Sequence, residues 1–286
     1  PQDRSSAASD VYKRQGNASM TTPVWNLYAF CYGRNEHRLM SETFIGGNPN
    51  EMSRGLDYFM WAITGPDRAI VIDTGMTEEK VSRMGRTWLK DPIDLLGDVG
   101  IDAENVDEVI LTHAHFDHVG NLHRFPKATF WMQDIEMQSI TGRDMTHPFL
   151  RQAYHQEDVE ALVRLVYQDR MRFIAGDGTF APGIDYHLIG GHSRGQMALT
   201  VNTERGPVFL ASDAIHLFEE VDQELPFFVF YDMAVMLEGY RTCARLAGDR
   251  SFLVPGHDPL VTQSYPAAKP GLEGLVLDLG KMPAGS

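Results

Sequence analysis

The chain has 286 residues, of which 43% are hydrophobic and 22% charged, a composition typical of a soluble globular protein with a sizeable core. Its formal net charge of −14 argues against a nucleic-acid surface, which needs a basic patch. The two cysteines, Cys31 and Cys243, lie far apart in sequence, so we expect no disulfide framework and predict a cytoplasmic protein with reduced thiols.

The first 22 residues are polar, rich in serine, and without periodicity, so we interpret residues 1–22 as a disordered or artefactual lead and residues 23–286 as one domain. The chain has no run of about 18 apolar residues and no basic-then-apolar leader, which predicts neither a membrane span nor secretion. Residues 25–30 predict the first strand. Residues 41–54 contain Gly46, Gly47 and Pro49 and predict a long loop, either a functional loop over a site or a solvated insertion.

The next elements alternate between strands and helices. Residues 58–63 and 69–73 predict paired strands, and helix-start signals follow at Thr77 and at Asp91-Pro92. A further strand is predicted at residues 128–132, and an amphipathic helix begins near Glu157. This alternation favours a layered α/β architecture.

A cluster of metal-ligand residues follows residues 107–111, a short apolar run that predicts a strand. The cluster reads His113-Ala114-His115-Phe116-Asp117-His118 and would lie on a loop at a strand end, where α/β folds place their chemistry. A zinc ion takes about four ligands, and four side chains this close in sequence cannot easily all reach one ion. The cluster therefore suggests two neighbouring ions with further ligands from later in the chain. A purely structural role is disfavoured, because burying these groups without a metal is costly.

The second half of the chain supplies three more residues of metal-binding type, each after a strand-like run. His192 follows residues 184–189, Asp213 follows residues 208–212, and His257 follows residues 251–254. Residues 226–231 are strongly apolar and are better explained as a strand or core segment than as a pocket wall. A packing helix capped by Asp232 is predicted over residues 232–246.

Five motifs in this order resemble the metallo-β-lactamase superfamily over about residues 24–266, and within it the N-acyl homoserine lactonase-like branch. They are Asp73-Thr74-Gly75, His113 to His118, Gly191-His192-Ser193-Arg194-Gly195, Ser212-Asp213 and Gly256-His257. The resemblance implies an αββα sandwich, in which two mixed sheets face each other with helices outside and a dinuclear zinc site at one sheet edge.

Carried over residue by residue, the resemblance assigns the ligands of two Zn²⁺ ions, although other divalent metals fit the same residues. The first ion would take His113, His115 and His192, the second Asp117, His118 and His257, and Asp213 would bridge them. Asp73 would orient the histidine loop. The implied reaction is opening of a lactone ring, with attack by a hydroxide that bridges the zinc ions and protonation of the alkoxide by Asp117 or a metal-bound water.

One position departs from the homoserine lactonases, which have a tyrosine three residues after the bridging aspartate where this chain has His216. We expect His216 to stabilise the substrate oxyanion as a hydrogen-bond donor or, in its cationic form, to attract a carboxylate-bearing substrate. The alternative is that it only packs beside the site. Phe116 would form part of the pocket wall. Because of this departure, the identity of the small-molecule lactone substrate stays open. It is either an acyl homoserine lactone, as in quorum quenching, or a pyridine-fused lactone such as 4-pyridoxolactone. Another ester, an amide or carbamate, or a phosphotriester is the competing substrate class. The branch includes monomers and homodimers, so either is expected.

Overall fold

Two β-sheets form the centre of the structure, a computed structural model that describes residues 22–285. The first sheet takes the strands β1 Asn26–Asn35, β2 Leu56–Thr64, β3 Ala69–Ile72, β4 Thr87–Trp88, β5 Glu108–Ile110, β6 Thr129–Gln133 and β7 Met171–Ile174. The second takes β8 Gly178–Ala181, β9 Ile184–Leu188, β10 Met197–Thr203, β11 Gly206–Ser212 and β12 Leu253–Pro255, after which β13 Val276–Asp278 returns to the first. The strand orders are β13-β1-β2-β3-β5-β6-β7, with β4 also paired to β1, and β12-β11-β10-β9-β8.

The two sheets pack face to face through alternate residues of their strands. Trp61 and Ile63 of β2 share one buried cluster with Leu199 and Val201 of β10 and with Leu210 of β11. Because side chains alternate along a strand, the residues between these positions face outward and need a second apolar layer.

That second layer comes from helices on the outer faces of the sheets. One buried cluster contains both outer faces. In it, Met60 and Val71 of the first sheet join Leu95 and Leu162, and Phe209 of the second sheet joins Met236 and Tyr240. The helices are α1 Met40–Thr43, α2 Glu78–Arg83, α3 Pro92–Asp98, α4 Asp134–Ile140, α5 Pro148–Arg151, α6 Gln156–Tyr167, α7 Phe218–Asp222, α8 Met233–Ala247 and α9 Pro259–Ser264. The layered α/β fold, an αββα sandwich, is therefore confirmed.

Several helix starts follow the predicted capping chemistry. Thr77 caps α2, Asp91 caps α3 ahead of a proline at the first helical turn, and the Asp232 side chain accepts a hydrogen bond from the Val235 backbone at 3.1 Å. None of the helices in residues 22–285 has the length and apolar character needed to cross a bilayer.

Two sequence-based expectations need correction, and a third, the lead predicted at residues 1–22, lies outside the described residues except for Thr22. The predicted loop at residues 41–54 begins inside α1, whose bounds are Met40–Thr43. Residues 226–231 form no strand, since Phe227 makes only an isolated bridge to Phe44 within residues 22–285. Phe227 is buried in the core, as expected, but Phe227 to Val229 also line a cavity.

The order of strands places several strand ends at one edge of the sandwich. Strands β3, β5 and β6 are mutually parallel, as are β11 and β12, so the residues that follow them emerge on the same side. Two of these residues have a left-handed backbone: Asp73 after β3 has a φ of 60° and Ser212 at the end of β11 has a φ of 47°. Non-glycine residues in this region are strained and cluster at functional sites. This edge is therefore where a site is expected.

Candidate metal centre

The predicted ligands converge at this edge in two groups. In the first group, ligand atoms of His113, His115 and His192 lie within 4.8 Å of one another. His115 and His192 face each other most closely, with Nδ1 of His115 2.8 Å from Nε2 of His192. All three side chains are buried, so a metal ion here would be shielded from solvent.

The second group joins Asp117, His118, Asp213 and His257, whose ligand atoms also lie within 4.8 Å of one another. Within it the Asp213 carboxylate lies 3.2 Å from Nε2 of His118 and 3.1 Å from Nε2 of His257. The same carboxylate lies 3.4 Å from Nε2 of His192, a member of the first group. Asp213 therefore reaches both groups, as a bridging ligand must.

Unsatisfied nitrogens show that the two groups fit metal ions. Nε2 of His113 and Nε2 of His118 are both buried without a hydrogen-bond partner among the described residues. A buried polar atom without a partner is costly, and an imidazole nitrogen with a free lone pair is a preferred zinc ligand. The two groups are suited to two metal ions.

The opposite ring nitrogens are held from behind. Nδ1 of His118 lies 2.7 Å from Oδ2 of Asp73, whose carboxylate also accepts hydrogen bonds from the Thr112 backbone and hydroxyl at 2.7 Å each. Nδ1 of His192 and Nδ1 of His257 face the carbonyl oxygens of Val229 at 3.0 Å and Asp57 at 2.8 Å. Such partners fix the tautomer and the orientation of metal-binding histidines.

Burial and neighbouring charges set the protonation of the centre. Burial first, and then nearby histidines, hold the pKa of His113 and of His192 well below its usual range, and burial lowers the pKa of His115 to about 4. Burial alone would also lower the pKa of His118, but carboxylates led by Asp213 hold it well above its usual range. The first group therefore holds neutral imidazoles, the form that binds a metal ion, whereas His118 would release a proton when a metal ion binds.

Sequence reasoning missed a buried carboxylate that joins two ligand loops. Glu136 in α4 accepts hydrogen bonds from the backbone of Ala114 at 3.0 Å and from the backbone of Gly195 at 2.7 Å. It also accepts from the hydroxyls of Ser193 at 2.9 Å and Tyr154 at 3.5 Å. Burial raises the pKa of Glu136, and these donors act against that rise. No local pattern marks Glu136, since its backbone partners lie 22 and 59 residues away.

His216 lies beside the centre with one nitrogen held and the other free. Its Nδ1 faces Oε1 of Glu220 at 3.2 Å, and its ring stacks on Phe227 with centroids 3.6 Å apart. Nε2 has no hydrogen-bond partner among the described residues and lies 3.3 Å from Oδ2 of Asp213. Burial alone would lower the pKa of His216, but the carboxylates of Glu220 and Asp213 raise it to about 9. Glu220 was also missed, although its spacing of four from His216 offered a local signal.

A cavity of about 210 Å³ opens onto the metal centre. Phe116 and His216 line it as predicted, whereas Gly46 and Gly47 of the long loop do not belong to its lining. The walls come instead from five other segments of the chain: Arg38, Leu56 with Tyr58, Met84 with Arg86, Gln152 with Ala153, and Phe227 to Val229. These residues surround the space in which a substrate would meet the ligands.

The chain belongs to the metallo-β-lactamase superfamily, whose sequence profile, described as "Metallo-beta-lactamase superfamily", matches residues 54–257. Among curated relatives, N-acyl homoserine lactonase AiiA of Bacillus thuringiensis subsp. kurstaki is 27% identical over 216 residues, covering 70% of this chain and 80% of that protein. The resemblance to the lactonase branch and the prediction of a metal-dependent hydrolase agree with these matches.

Solved structures agree with the fold. A structure described as a quorum-quenching N-acyl homoserine lactone lactonase matches with a TM-score of 0.69 and 25% identity, covering 82% of this chain and 92% of that one. AidC, described as a dizinc quorum-quenching lactonase, matches with a TM-score of 0.64 and 19% identity, covering 82% of this chain and 88% of its own. The prediction of a centre with two metal ions agrees with the two ligand groups.

Proposed function

We propose that this protein is a zinc-dependent lactonase that opens the ring of a small-molecule lactone, with residues 23–286 acting as one domain. The observation that carries the proposal is the Asp213 carboxylate, which lies within 3.4 Å of histidines from both ligand groups. The relatives named as N-acyl homoserine lactonases support the same reaction class.

The seven ligand side chains would hold the two ions, and when bound the ions would supply a water nucleophile at neutral pH and polarise the lactone carbonyl. The ligand residues are His113, His115, Asp117, His118, His192, Asp213 and His257. Asp73 keeps the ring of His118 in the orientation that directs Nε2 inward. The chain therefore provides a rigid and buried frame for the ions.

Asp117 is the candidate proton carrier. Its carboxylate oxygens lie 3.8 Å from Nε2 of His118 and 3.7 Å from Nε2 of His257, at the cavity side of the second group. A carboxylate oxygen at this position can pass a proton to the ring oxygen that leaves as the ester bond breaks. The loop that carries it is fixed by Tyr32, whose hydroxyl donates to the Asp117 carbonyl at 2.8 Å.

His216 and Phe116 would contact the substrate. Glu220 holds Nδ1 of His216, so Nε2 is the atom directed at the space where the carbonyl oxygen would lie, and a donor at that point stabilises developing negative charge. Phe116 stacks on His155 with centroids 5.1 Å apart and closes one side of the cavity against water. The carbonyl would thus lie between the metals and His216.

A pH-indicator assay on the zinc-loaded protein tests the proposal. The panel should contain acyl homoserine lactones of several chain lengths, γ- and δ-lactones, a pyridine-fused lactone, nitrophenyl esters and a phosphotriester. We expect about two zinc ions per chain and the highest kcat/KM on a lactone, with loss of both in Asp213→Ala. Higher kcat/KM on an open ester or a phosphotriester than on every lactone would overturn the proposed substrate class.

A further inference from the structure

Two arginines face the cavity beside the metal centre without a carboxylate partner in the described part of the chain. Arg38 and Arg86 both line this cavity. Neither of them forms an ion pair within residues 22–285. Other arginines near them in sequence do pair with an acidic side chain, namely Arg34, Arg54 and Arg83.

Aromatic rings and backbone groups hold these two guanidinium groups in place. Arg38 is only 9% exposed, donates to the hydroxyl of Thr43 at 3.3 Å and to a backbone carbonyl, and lies over the ring of Phe228 at 5.1 Å. Arg86 lies over the rings of Tyr58 at 4.7 Å and Phe116 at 5.2 Å. Cation–π contacts orient a guanidinium but leave its N–H groups available.

Two polar atoms on this wall have no partner of their own. Nη1 of Arg86 and the hydroxyl of Tyr58 are both buried without a hydrogen-bond partner among the described residues. Tyr58 is 1% exposed, and its ring lies edge-on to the ligand His257 with centroids 5.2 Å apart. Buried donors without acceptors are rare in folded proteins, and a functional site is one of the explanations for them.

The charge of this wall contrasts with that of the whole chain. The chain carries a formal net charge of −14, so its overall field repels anions. Burial, with the charge of Arg86 acting in the same direction, lowers the pKa of Arg38, so the two cations lie close enough to affect each other. Their mutual repulsion would be relieved by an anion held between them.

We propose that the substrate carries a carboxylate in addition to the scissile carbonyl, and that Arg86, Tyr58 and Arg38 form the subsite that binds it. The inference rests on the proposed lactonase function and names its substrate class: a lactone with an acidic substituent. A planar carboxylate accepts two parallel N–H bonds from a guanidinium, and its remaining lone pairs accept from the Tyr58 hydroxyl. A neutral alkyl chain would leave these donors buried and unpaired.

The test compares two γ-lactones that share one ring, one with a carboxylate substituent and one with the primary amide in its place. The quantity measured is the ratio of their kcat/KM values in zinc-loaded protein. We expect the ratio to favour the carboxylate by about tenfold to a hundredfold, as charge-assisted hydrogen bonds do. Arg86→Gln should remove most of this preference, Arg86→Lys should retain part of it, and Tyr58→Phe should reduce it.

Arg83→Gln is the matched control, because Arg83 is exposed, paired with Glu79 and only three residues away. It should leave both kcat/KM values unchanged. A ratio near one in the wild-type protein, or a preference for the carboxylate that Arg86→Gln and Arg86→Lys both keep, would overturn the subsite.

Calorimetry separates failure of the subsite from failure of the lactonase function. The ring-opened products of the two lactones are titrated into the zinc-loaded protein, so no turnover is needed. Tighter binding of the product with the additional carboxylate, lost in Arg86→Gln, would support the subsite even if neither ring is opened. Hydrolysis of both rings with equal product affinities would instead support the lactonase function and overturn the subsite.

Discussion

Replacement of Glu136 by glutamine tests whether the carboxylate that joins the two ligand loops stabilises the metal centre. The substitution keeps the size of the side chain but replaces one acceptor oxygen by an NH₂ group. In either orientation of the amide, a backbone N–H faces this NH₂ group instead of an oxygen. In one orientation it is the N–H of Gly195, which lies 2.7 Å from Oε2 in the wild type, and in the other it is the N–H of Ala114, which lies 3.0 Å from Oε1. A hydroxyl loses its acceptor on the same side.

The magnitude follows from these lost contacts. Each hydrogen bond to a charged group contributes about 1.5–3 kcal/mol to stability. The amide would adopt the orientation that loses the two longer hydrogen bonds, which come from Ala114 and Tyr154. Burial of the Glu136 carboxylate, which raises its pKa, offsets part of the loss. We therefore expect the free energy of unfolding of the metal-free protein to fall by about 2–4 kcal/mol.

The metal centre should weaken as well, because the lost partner Ala114 lies between the predicted ligands His113 and His115. A lost partner behind a ligand typically lowers metal affinity by about tenfold to a hundredfold. Urea denaturation measures the first effect, and zinc competition with a chromophoric chelator measures the second. Glu160→Gln, on the exposed face of α6, is the control. Equal denaturation midpoints and equal zinc retention in Glu136→Gln and the wild type would refute this reasoning.

Three further predictions concern the metals, the backbone and His216. Removal of zinc by a chelator should lower the Tm measured by calorimetry. The loss in free energy of unfolding is about 2.7 kcal/mol if free zinc was a hundred times its Kd before removal. An unchanged Tm would contradict metal binding by the folded state. Gly191→Ala should destabilise the fold by roughly 2 kcal/mol or more in urea denaturation, because its φ is +85° and a Cβ would lie 2.4 Å from the Met236 backbone, whereas Gly97→Ala, with open space around it, should not. His216→Ala should lower kcat on the best lactone by about tenfold to a thousandfold with zinc content unchanged; loss of zinc together with activity would instead make His216 a ligand.

The candidate ligands could be chosen from the sequence because the segments that hold them come after apolar runs and match the motifs of the superfamily. Asp213 and His257 come after strands whose pattern is local, and the parallel pairing of β11 and β12 then brings the two together. The fold followed from the same alternation and from the motifs. The short strands β4 and β8 had no clear pattern, since partly exposed strands of two to four residues carry little periodicity.

The walls of the cavity were not predictable in the same way. Arg38 and Arg86 lie in segments without a motif, and their shared position depends on side chains that meet only after the fold is complete. Residues 226–231 were interpreted as a strand or core segment because apolar runs look alike whether they pack inside or line a pocket. The sequence could not assign Glu136 to the site, because hydrogen bonds to residues 22 and 59 positions away leave no local spacing.

The contact between α1 and residues 226–228 has an evolutionary consequence. The Phe228 backbone donates to the Thr43 carbonyl at 3.1 Å and the Ile45 backbone donates to the Pro226 carbonyl at 2.8 Å, so residues 43–45 support the part of the cavity wall that Phe227 and Phe228 form. Neither segment contributes a predicted metal ligand. Because Phe227 stacks on His216, substitutions in these segments would act first on the substrate side of the site, so a lineage with this centre can change its substrates while its metals stay in place.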